Sequence, residues 1–288
     1  SFSVLTVFMV IFFIVQYFRS DTEEYEEELE EKNREISQKN TEIIDSITYA
    51  KRLQEAILPP ADEITNSVPD SFILYKPKDI VAGDFYFAEH KGDYFFVAAA
   101  DCTGHGVPGA MVSLVCSNAL NKAVSELELI KPGEILDKVT EMVVDTFKKG
   151  HTDIKDGMDI SLCVINTKTR DIAWAGANNP LWYINSEVLT EVTANKQPVG
   201  KSDKYTSFTT HVLKLAKGSL VYLFTDGYAD QFGGPKGKKF KYKQLADLIL
   251  RNKNLSMTDQ RNILENTFAA WRGNIEQVDD VCIIGIKL

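Results

Sequence analysis

Ala98-Ala99-Ala100-Asp101-Cys102-Thr103-Gly104-His105-Gly106-Val107-Pro108-Gly109 decides how the rest of the chain is read. The apolar run Tyr94 to Ala100 predicts a buried strand that stops at a carboxylate, Asp101. A glycine-rich loop follows, and a helix of small residues begins near Val107. A strand that delivers an acid into a glycine loop builds metal and phosphate sites, although a lone Asp at a strand end also simply starts a turn. Repetition favours the site. Two more apolar strands meet acids in the same way, at Asp226 and at Asp279-Asp280.

The same stretch contains Gly104-x-Gly106-x-x-Gly109, the spacing of a dinucleotide-binding loop. Its context excludes a nicotinamide site. The helix predicted over Val107 to Leu127 leads through Lys131-Pro132-Gly133 into a second helix, Glu134 to Lys149. A mononucleotide-binding unit needs a parallel strand there, ending in a ribose-binding acid.

Of the chain's net charge of −9, the stretch Asp21 to Glu35 holds −7, nine acids against Lys32 and Arg34. The remainder is nearly neutral, so no nucleic-acid partner is expected. Hydrophobic residues at 44% and charged residues at 25% are ordinary for a globular protein. Cys102, Cys116, Cys163 and Cys282 show no Cys-x-x-Cys spacing and read as reduced core residues of a cytosolic domain. The four histidines are scattered and no pair has zinc-ligand spacing.

Residues 1–19 are almost wholly apolar up to Arg19, and the sequence does not begin with Met. This predicts a fragment opening on the end of a transmembrane helix, with Arg19 marking a cytoplasmic exit. A signal peptide would need a basic start and a small-residue cleavage site, and neither is present. Residues 20–58 predict one long linker helix without Gly or Pro, ended by Pro59-Pro60. Leu29, Ile36, Ile43, Ala50 and Ile57 repeat every seven residues as one coiled-coil seam. The second seam, Tyr25, Lys32, Lys39, Ser46 and Leu53, is polar in the middle, which suits either a signalling helix or an inert spacer. A histidine-kinase dimerisation helix is excluded, because no His occurs from Ser1 to Glu89.

From residue 59 to 288 the pattern predicts a third segment, a domain of short strands with two inserted pairs of helices. Strands are expected at Phe72 to Tyr75, Asp84 to Glu89, Tyr94 to Ala100, Ile160 to Asn166, Ile172 to Ala175 and Leu181 to Ile184. Val212 to Leu215, Leu220 to Phe224 and Val281 to Ile286 complete the set, with helices near Tyr242 to Arg251 and Thr258 to Trp271. Such an order argues for an α+β fold of antiparallel sheets covered by helices. The loop Gln231 to Lys239 is predicted as a mobile flap without strand or helix.

Gly83-Asp84, Asp101, Thr225-Asp226-Gly227 and Asp279-Asp280 all place acids at strand ends. Carboxylates that converge repel one another and lose hydration, so cations must neutralise them. Oxygen ligands without Cys or His select Mg²⁺ or Mn²⁺. Two such ions activate water and clamp a phosphoryl group.

Six ordered motifs carry a resemblance to a known family. They are Val81-Ala82-Gly83-Asp84-Phe85-Tyr86, Ala100 to Gly106, Gly176-Ala177-Asn178-Asn179-Pro180-Leu181, Gln197-Pro198-Val199-Gly200, Phe224-Thr225-Asp226-Gly227 and Val278-Asp279-Asp280. From about Ala50 to Leu288 the chain resembles the SpoIIE/RsbU-type serine phosphatases of the metal-dependent PPM (PP2C-like) family. The resemblance implies an αββα sandwich, two antiparallel sheets flanked by antiparallel helix pairs. It implies two Mn²⁺ or Mg²⁺ ions and hydrolysis of phosphoserine or phosphothreonine on a bacterial signalling protein, such as an anti-sigma-factor antagonist. Asp101 would bridge the metals with the Cys102 backbone carbonyl beside it, Asp84 would bind one ion, and Asp226 and Asp279 the other, with Asp280 the weaker candidate.

The departures matter as much. Many relatives have Gly-His-Asn where this chain has Gly176-Ala177-Asn178, so that histidine's role does not transfer. The phosphate-binding basic residue of eukaryotic relatives has no clear counterpart; Lys76 and Lys78 lie near the place, and Lys236, Lys238 and Lys239 of the flap face a phosphoprotein's acidic surface in this reading. His105 either protonates the leaving seryl oxygen or packs as a loop histidine. The expectation is a membrane-tethered phosphatase with a cytoplasmic catalytic domain. It would be a homodimer through the linker, switched by an upstream sensor domain in the same chain. The rival is a catalytically inactive scaffold of the same fold, against which the retained strand-end acids argue.

Overall fold

In the computed structural model, residues 2–59, 61–148 and 156–288 are described. Two predicted helix boundaries, Pro60 and Lys149, lie outside the described residues. The first element, α1 (Phe2–Ile57), is a single helix of 56 residues. The absence of Gly and Pro lets it run unbroken, and exposed pairs such as Glu28–Lys32 and Glu35–Lys39, both at 2.6 Å, line its surface at the i,i+4 spacing. Its first turns are long and apolar enough to cross a membrane, and Val4 to Val15 are exposed. Leu29, Ile36, Ile43 and Ile57 of the seven-residue seam are also exposed.

The chain divides into two compact units, Ser1–Tyr49 and Ala50–Leu288. The second begins inside α1 because Gln54 and Leu58 are packed into the body that follows. That body opens with α2 (Ala61–Ser67), β1 (Ser71–Lys76), β2 (Phe85–Lys91) and β3 (Tyr94–Cys102). β2 and β3 form the expected hairpin, turning at Gly92-Asp93, where Gly92 adopts the positive φ that such a turn requires. The first helix pair is α3 (Gly106–Asn121), extended by a π-helical turn over Lys122–Glu126, and α4 (Pro132–Lys148). Next come β4 (Gly157–Asn166), β5 (Ile172–Ala177), β6 (Leu181–Asn185), β7 (Val188–Val192), β8 (Val199–Gly200), β9 (His211–Leu213) and β10 (Leu220–Phe224). A short α5 (Gly227–Asp230), β11 (Phe232–Gly233), β12 (Lys238–Lys239), α6 (Tyr242–Asn252), α7 (Met257–Arg272) and β13 (Val281–Lys287) complete the order.

One sheet runs β1-β13-β10-β6-β7 and the other β2-β3-β4-β5-β9, with β8 beside β4. Every strand pairing between named strands is antiparallel. Three apolar clusters set the layers. Leu120, Val124, Leu136 and Val139 pack α3 and α4 onto Phe96, Ala98 and Leu162 of the second sheet. Phe95, Val97 and Trp174 meet Val221, Leu223 and Ile284 between the sheets. Leu245, Leu264 and Phe268 pack α6 and α7 onto Tyr222 and Ile283 of the first sheet. The layers therefore run helix, sheet, sheet, helix.

Two expectations need correction. β3 does not stop at Asp101 but pairs two residues further than Ala100, because Asp101 and Cys102 keep partners on β4. The stretch Gln231 to Lys239 is not without structure: Phe232↔Lys239 and Gly233↔Lys238 pair as a small hairpin. Trp271 fixes it, accepting the Gly234 N–H at its carbonyl and donating its indole N–H to the Gln231 carbonyl. β7 is an addition to the predicted strands, since its polar alternation on a sheet edge carries little apolar signal.

Candidate active site

The strand-end acids come from both sheets. Asp101 is the penultimate residue of β3; Asp226 follows β10 by two residues; Asp279 and Asp280 precede β13; Asp84 precedes β2. Asp84 is 2% exposed, and its Oδ2 accepts a 2.6 Å bond from Thr225 Oγ1, while its carbonyl accepts from the Tyr75 hydroxyl at 2.9 Å. Burial and the adjacent Asp101 hold the Asp84 carboxyl well above the usual carboxylate range, with Thr225 opposing. Burial, Asp226, Asp279 and Asp159 push Asp101 up to about 8, although a hydrogen bond with Asp84 counters part of this. Burial and Asp279 push Asp226 up to about 6. Asp279 is raised as well, chiefly by burial. Asp101 thus feels Asp226, Asp279 and Asp159, and Asp84 feels Asp101, Asp280 and Asp279, so these acids lie within electrostatic reach of one another at the sheet ends.

Asp280 does something different. It is 2% exposed, and its carboxylate accepts the N–H groups of Lys78 and Gly83 at 2.7 Å and of Asp84 at 3.3 Å. It thereby pins the loop that carries Asp84. From the other side, Gln54 of α1 forms a two-way clamp on that loop. Its Nε2 donates to the Ala82 carbonyl at 2.7 Å, and its Oε1 accepts the Ala82 N–H at 3.1 Å. Gln54 Nε2 also donates to Ser113 Oγ on α3 at 3.0 Å.

His105 immediately precedes α3, and its Nδ1 lies 3.1 Å from Asp79 Oδ2. That contact turns the other ring nitrogen away from Asp79. The predicted lysines part company. Lys76 Nζ pairs with Glu265 of α7 at 2.8 Å, while the charge of Lys78 favours ionised Asp279. Lys236 and Lys238 are exposed on the hairpin, and Lys239 pairs with Asp230 at 2.8 Å while acting on Asp226. The Cys102 thiol is buried against Cys116, and burial raises it well above its usual value.

One acid escaped the sequence reading. Asp159 pairs directly across from Asp101 in the β3–β4 ladder, which puts both side chains on one face. Burial raises its carboxyl, and Asn178 Nδ2 donates to it at 2.8 Å. Its sequence signal is weaker than at the other sites, because Asp159 lies inside the start of β4 and no apolar run halts at it. The cleft's donors are carboxylate oxygens, a set that suits a hard cation. Among the described residues, no three Asp, Glu, His or Cys side chains stand close enough to form a finished cage.

The model of the SpoIIE family, stage II sporulation protein E, matches residues 91–288. The chain belongs to the SpoIIE family. No curated protein matches it. Among solved structures, this SpoIIE-family chain is similar to the SiaA-PP2C domain of Pseudomonas aeruginosa, at 29% identity and a TM-score of 0.79. That match covers 86% of the present chain and 98% of the SiaA domain. The PP2C phosphatase domain and regulatory fragment of SpoIIE from Bacillus subtilis shares the fold at 15% identity and a TM-score of 0.60, over 76% of this chain and 63% of that one. RsbX in complex with magnesium shares it at 18% identity and a TM-score of 0.53, over 76% and 94%. The fold is that of PP2C-type phosphatase domains.

Proposed function

We propose that this SpoIIE-family chain is a divalent-metal-dependent phosphatase acting on phosphoserine or phosphothreonine in a signalling protein. The observation that carries the proposal is the gathering of acids at the sheet ends, where Asp101 stands across the ladder from Asp159, is raised by Asp226, Asp279 and Asp159, and in turn raises Asp84, a charge crowding that a cation would relieve. Asp84, Asp101, Asp226 and Asp279, with the Cys102 carbonyl, would hold two Mg²⁺ or Mn²⁺ ions. Bound there, the ions supply charge neutralisation, water of lowered pKa and a clamp on the phosphoryl group. Asp280 and Gln54 hold the Asp84 loop in place, and Thr225 orients the Asp84 carboxylate. His105, held by Asp79, would give a proton to the leaving seryl oxygen. Family likeness supports an anti-sigma-factor antagonist as the substrate.

The same reading gives α1 two duties. Its apolar first turns would anchor the chain in a membrane with the phosphatase domain on the cytoplasmic side, and its heptad seam would pair two copies and carry a sensor's signal.

The test is hydrolysis of a phosphoserine peptide by the full chain with Mn²⁺ or Mg²⁺. Turnover should vanish with a chelator and return on adding either ion; metal-independent turnover, or none under any condition, rejects the proposal. A second outcome concerns the β11–β12 hairpin. Replacing Lys236, Lys238 and Lys239 by Ala should cut kcat/KM for a phosphoprotein by about ten-fold, the scale of a few exposed charge contacts in encounter. An aryl phosphate should change far less. Equal losses would remove the hairpin from substrate recognition.

A further inference from the structure

At the end of the sandwich opposite the carboxylates, a cavity of about 320 Å³ takes its lining from both sheets and from the loop after α2. β13 starts beside Asp279-Asp280 and ends at Lys287 on the cavity, roughly 20 Å away at a rise of ~3.3 Å per residue. Backbone ties hold each wall. In the turn between β4 and β5, Asn166 Oδ1 accepts the N–H groups of Lys168 at 2.9 Å and Thr169 at 3.0 Å. The Asn166 carbonyl takes the Arg170 N–H at 2.7 Å, and Arg170 holds a positive φ of 63°. The loop after α2 is joined to β13 where Lys287 N–H bonds the Asp70 carbonyl at 2.8 Å. Gly218 N–H bonds the Leu288 carbonyl at 2.8 Å, which sets Lys217 beside the end of β13.

The lining divides into an apolar floor and a cationic rim. Ile165 is buried, and Val68 and Leu288 pack against the cluster between the sheets. Arg170, Lys217 and Lys287 form the exposed rim, and none of their side chains enters an ion pair among the described residues. Their neighbours at this end are engaged: Lys168 pairs with Asp93 and Lys253 with Glu187, both at 2.8 Å. Asp70 is the acidic side chain of the lining, so three positive side chains face one negative. Even a terminal carboxylate at Leu288 leaves that lining net positive. Like charges gathered around one cavity repel one another, and an anion seated among them removes the repulsion.

We propose that this cavity binds a small organic phosphate, its phosphoryl group held by Arg170, Lys217 and Lys287 and its apolar body laid on Val68, Ile165 and Leu288. The Arg170 guanidinium offers a planar fork of donors that matches two phosphoryl oxygens, and the lysines add mobile point charges. The volume lies at the lower end of the roughly 300–1,000 Å³ typical of ligand sites, which suits a small molecule and not a dinucleotide. A bound anion would join the two sheets to the loop that leaves α2. The site shares no residue with the carboxylate cleft, so it stands whether or not the chain hydrolyses phosphoserine.

The test uses the full chain, dialysed free of divalent cations so that the acidic cleft repels anions, at constant ionic strength. The probe is phenylphosphonate, whose carbon–phosphorus bond resists hydrolysis. It should raise the melting temperature of the wild type and of Lys217→Arg. The concentration giving half the rise should be about ten-fold higher or more in Arg170→Gln and in Lys217→Gln, the scale of one charged hydrogen bond. It should not change in Lys236→Gln, which removes an exposed lysine of the β11–β12 hairpin. Inorganic phosphate, which leaves the apolar floor uncovered, should need about ten-fold more than phenylphosphonate. Absence of any response to phenylphosphonate in the wild type overturns the site, and so does a loss in Lys236→Gln equal to that in Lys217→Gln. Equal half-rise concentrations for phosphate and phenylphosphonate overturn the organic ligand. A response that appears only on adding Mg²⁺ and disappears in Asp101→Asn belongs to the carboxylate cleft, and overturns the site as well.

Discussion

Asp101→Asn is expected to abolish phosphoserine hydrolysis and, without metal, to leave the chain more stable than the wild type. The first effect should be at least about a thousand-fold in kcat/KM, since a cation held in the cleft is worth several kcal/mol to a phosphoryl transition state. The second follows from crowding. Asp101, next to the end of β3, stands opposite Asp159, and burial together with Asp226, Asp279 and Asp159 lifts its carboxyl from 3.8 to about 8. Between those two values the folded chain keeps a proton that the unfolded chain releases. Stability of the metal-free wild type therefore falls as pH climbs from about 4 to 8. The amide that replaces this carboxyl has no such proton to lose, so the variant's profile should be flatter. At pH 8 it should melt about 3 °C higher or more, the scale of one kcal/mol in a domain this size. Saturating Mg²⁺ should reverse the order by stabilising only the chain that binds it tightly. Thermal melts at pH 5.5 and pH 8, with and without Mg²⁺, decide the matter. A metal-free Asp101→Asn variant that melts below the wild type at pH 8 would show that the acids do not crowd one another.

Why Asp101, Asp226 and Asp279 are legible in the sequence while Asp159 is not is a matter of strand ends. An apolar run that halts at an acid is visible in one dimension. Asp159 lies inside the start of β4, and only its register against Asp101 brings it to the cleft. The same limit applies to the lysines. Lys76 and Lys78 look equivalent in the chain, but Lys76 ends β1 beside α7, where Glu265, 189 residues later, takes its charge. The hairpin at Gln231 to Lys239 reads as loop because its strands are two residues each, and its order comes from Trp271. Gln54 is hidden in a heptad pattern that accounts for its neighbours, and nothing local marks it as 6% exposed. Fold class needs only periodicity and turn residues; these contacts need the tertiary pairing.

That clamp gives the second large expectation: Gln54→Leu should weaken metal-dependent activity far more than it weakens the fold. Leucine keeps most of the buried volume but leaves the Ala82 N–H and carbonyl without their partners, each loss costing about 1–3 kcal/mol if unrelieved. The segment that relaxes to recover those bonds is Val81-Ala82-Gly83-Asp84, with Asp280 still holding its far side. The Asp84 carboxylate should then spend less time aligned with Asp101, raising the Mn²⁺ half-saturation by about ten-fold or more, while the melting temperature drops by only a few degrees. Gln54 sits on the helix that also bears the heptad seam, so a turn or shift of that helix would act on Asp84 through the same two bonds. A fragment beginning at Pro60 should accordingly reproduce the Gln54→Leu metal dependence, and one beginning at Thr41 should match the full chain. Activity measured against Mn²⁺ concentration, with mass in solution for each fragment, tests this. If the Pro60 fragment keeps the full chain's oligomeric state and half-saturation, α1 is a tether and the clamp has no part in control.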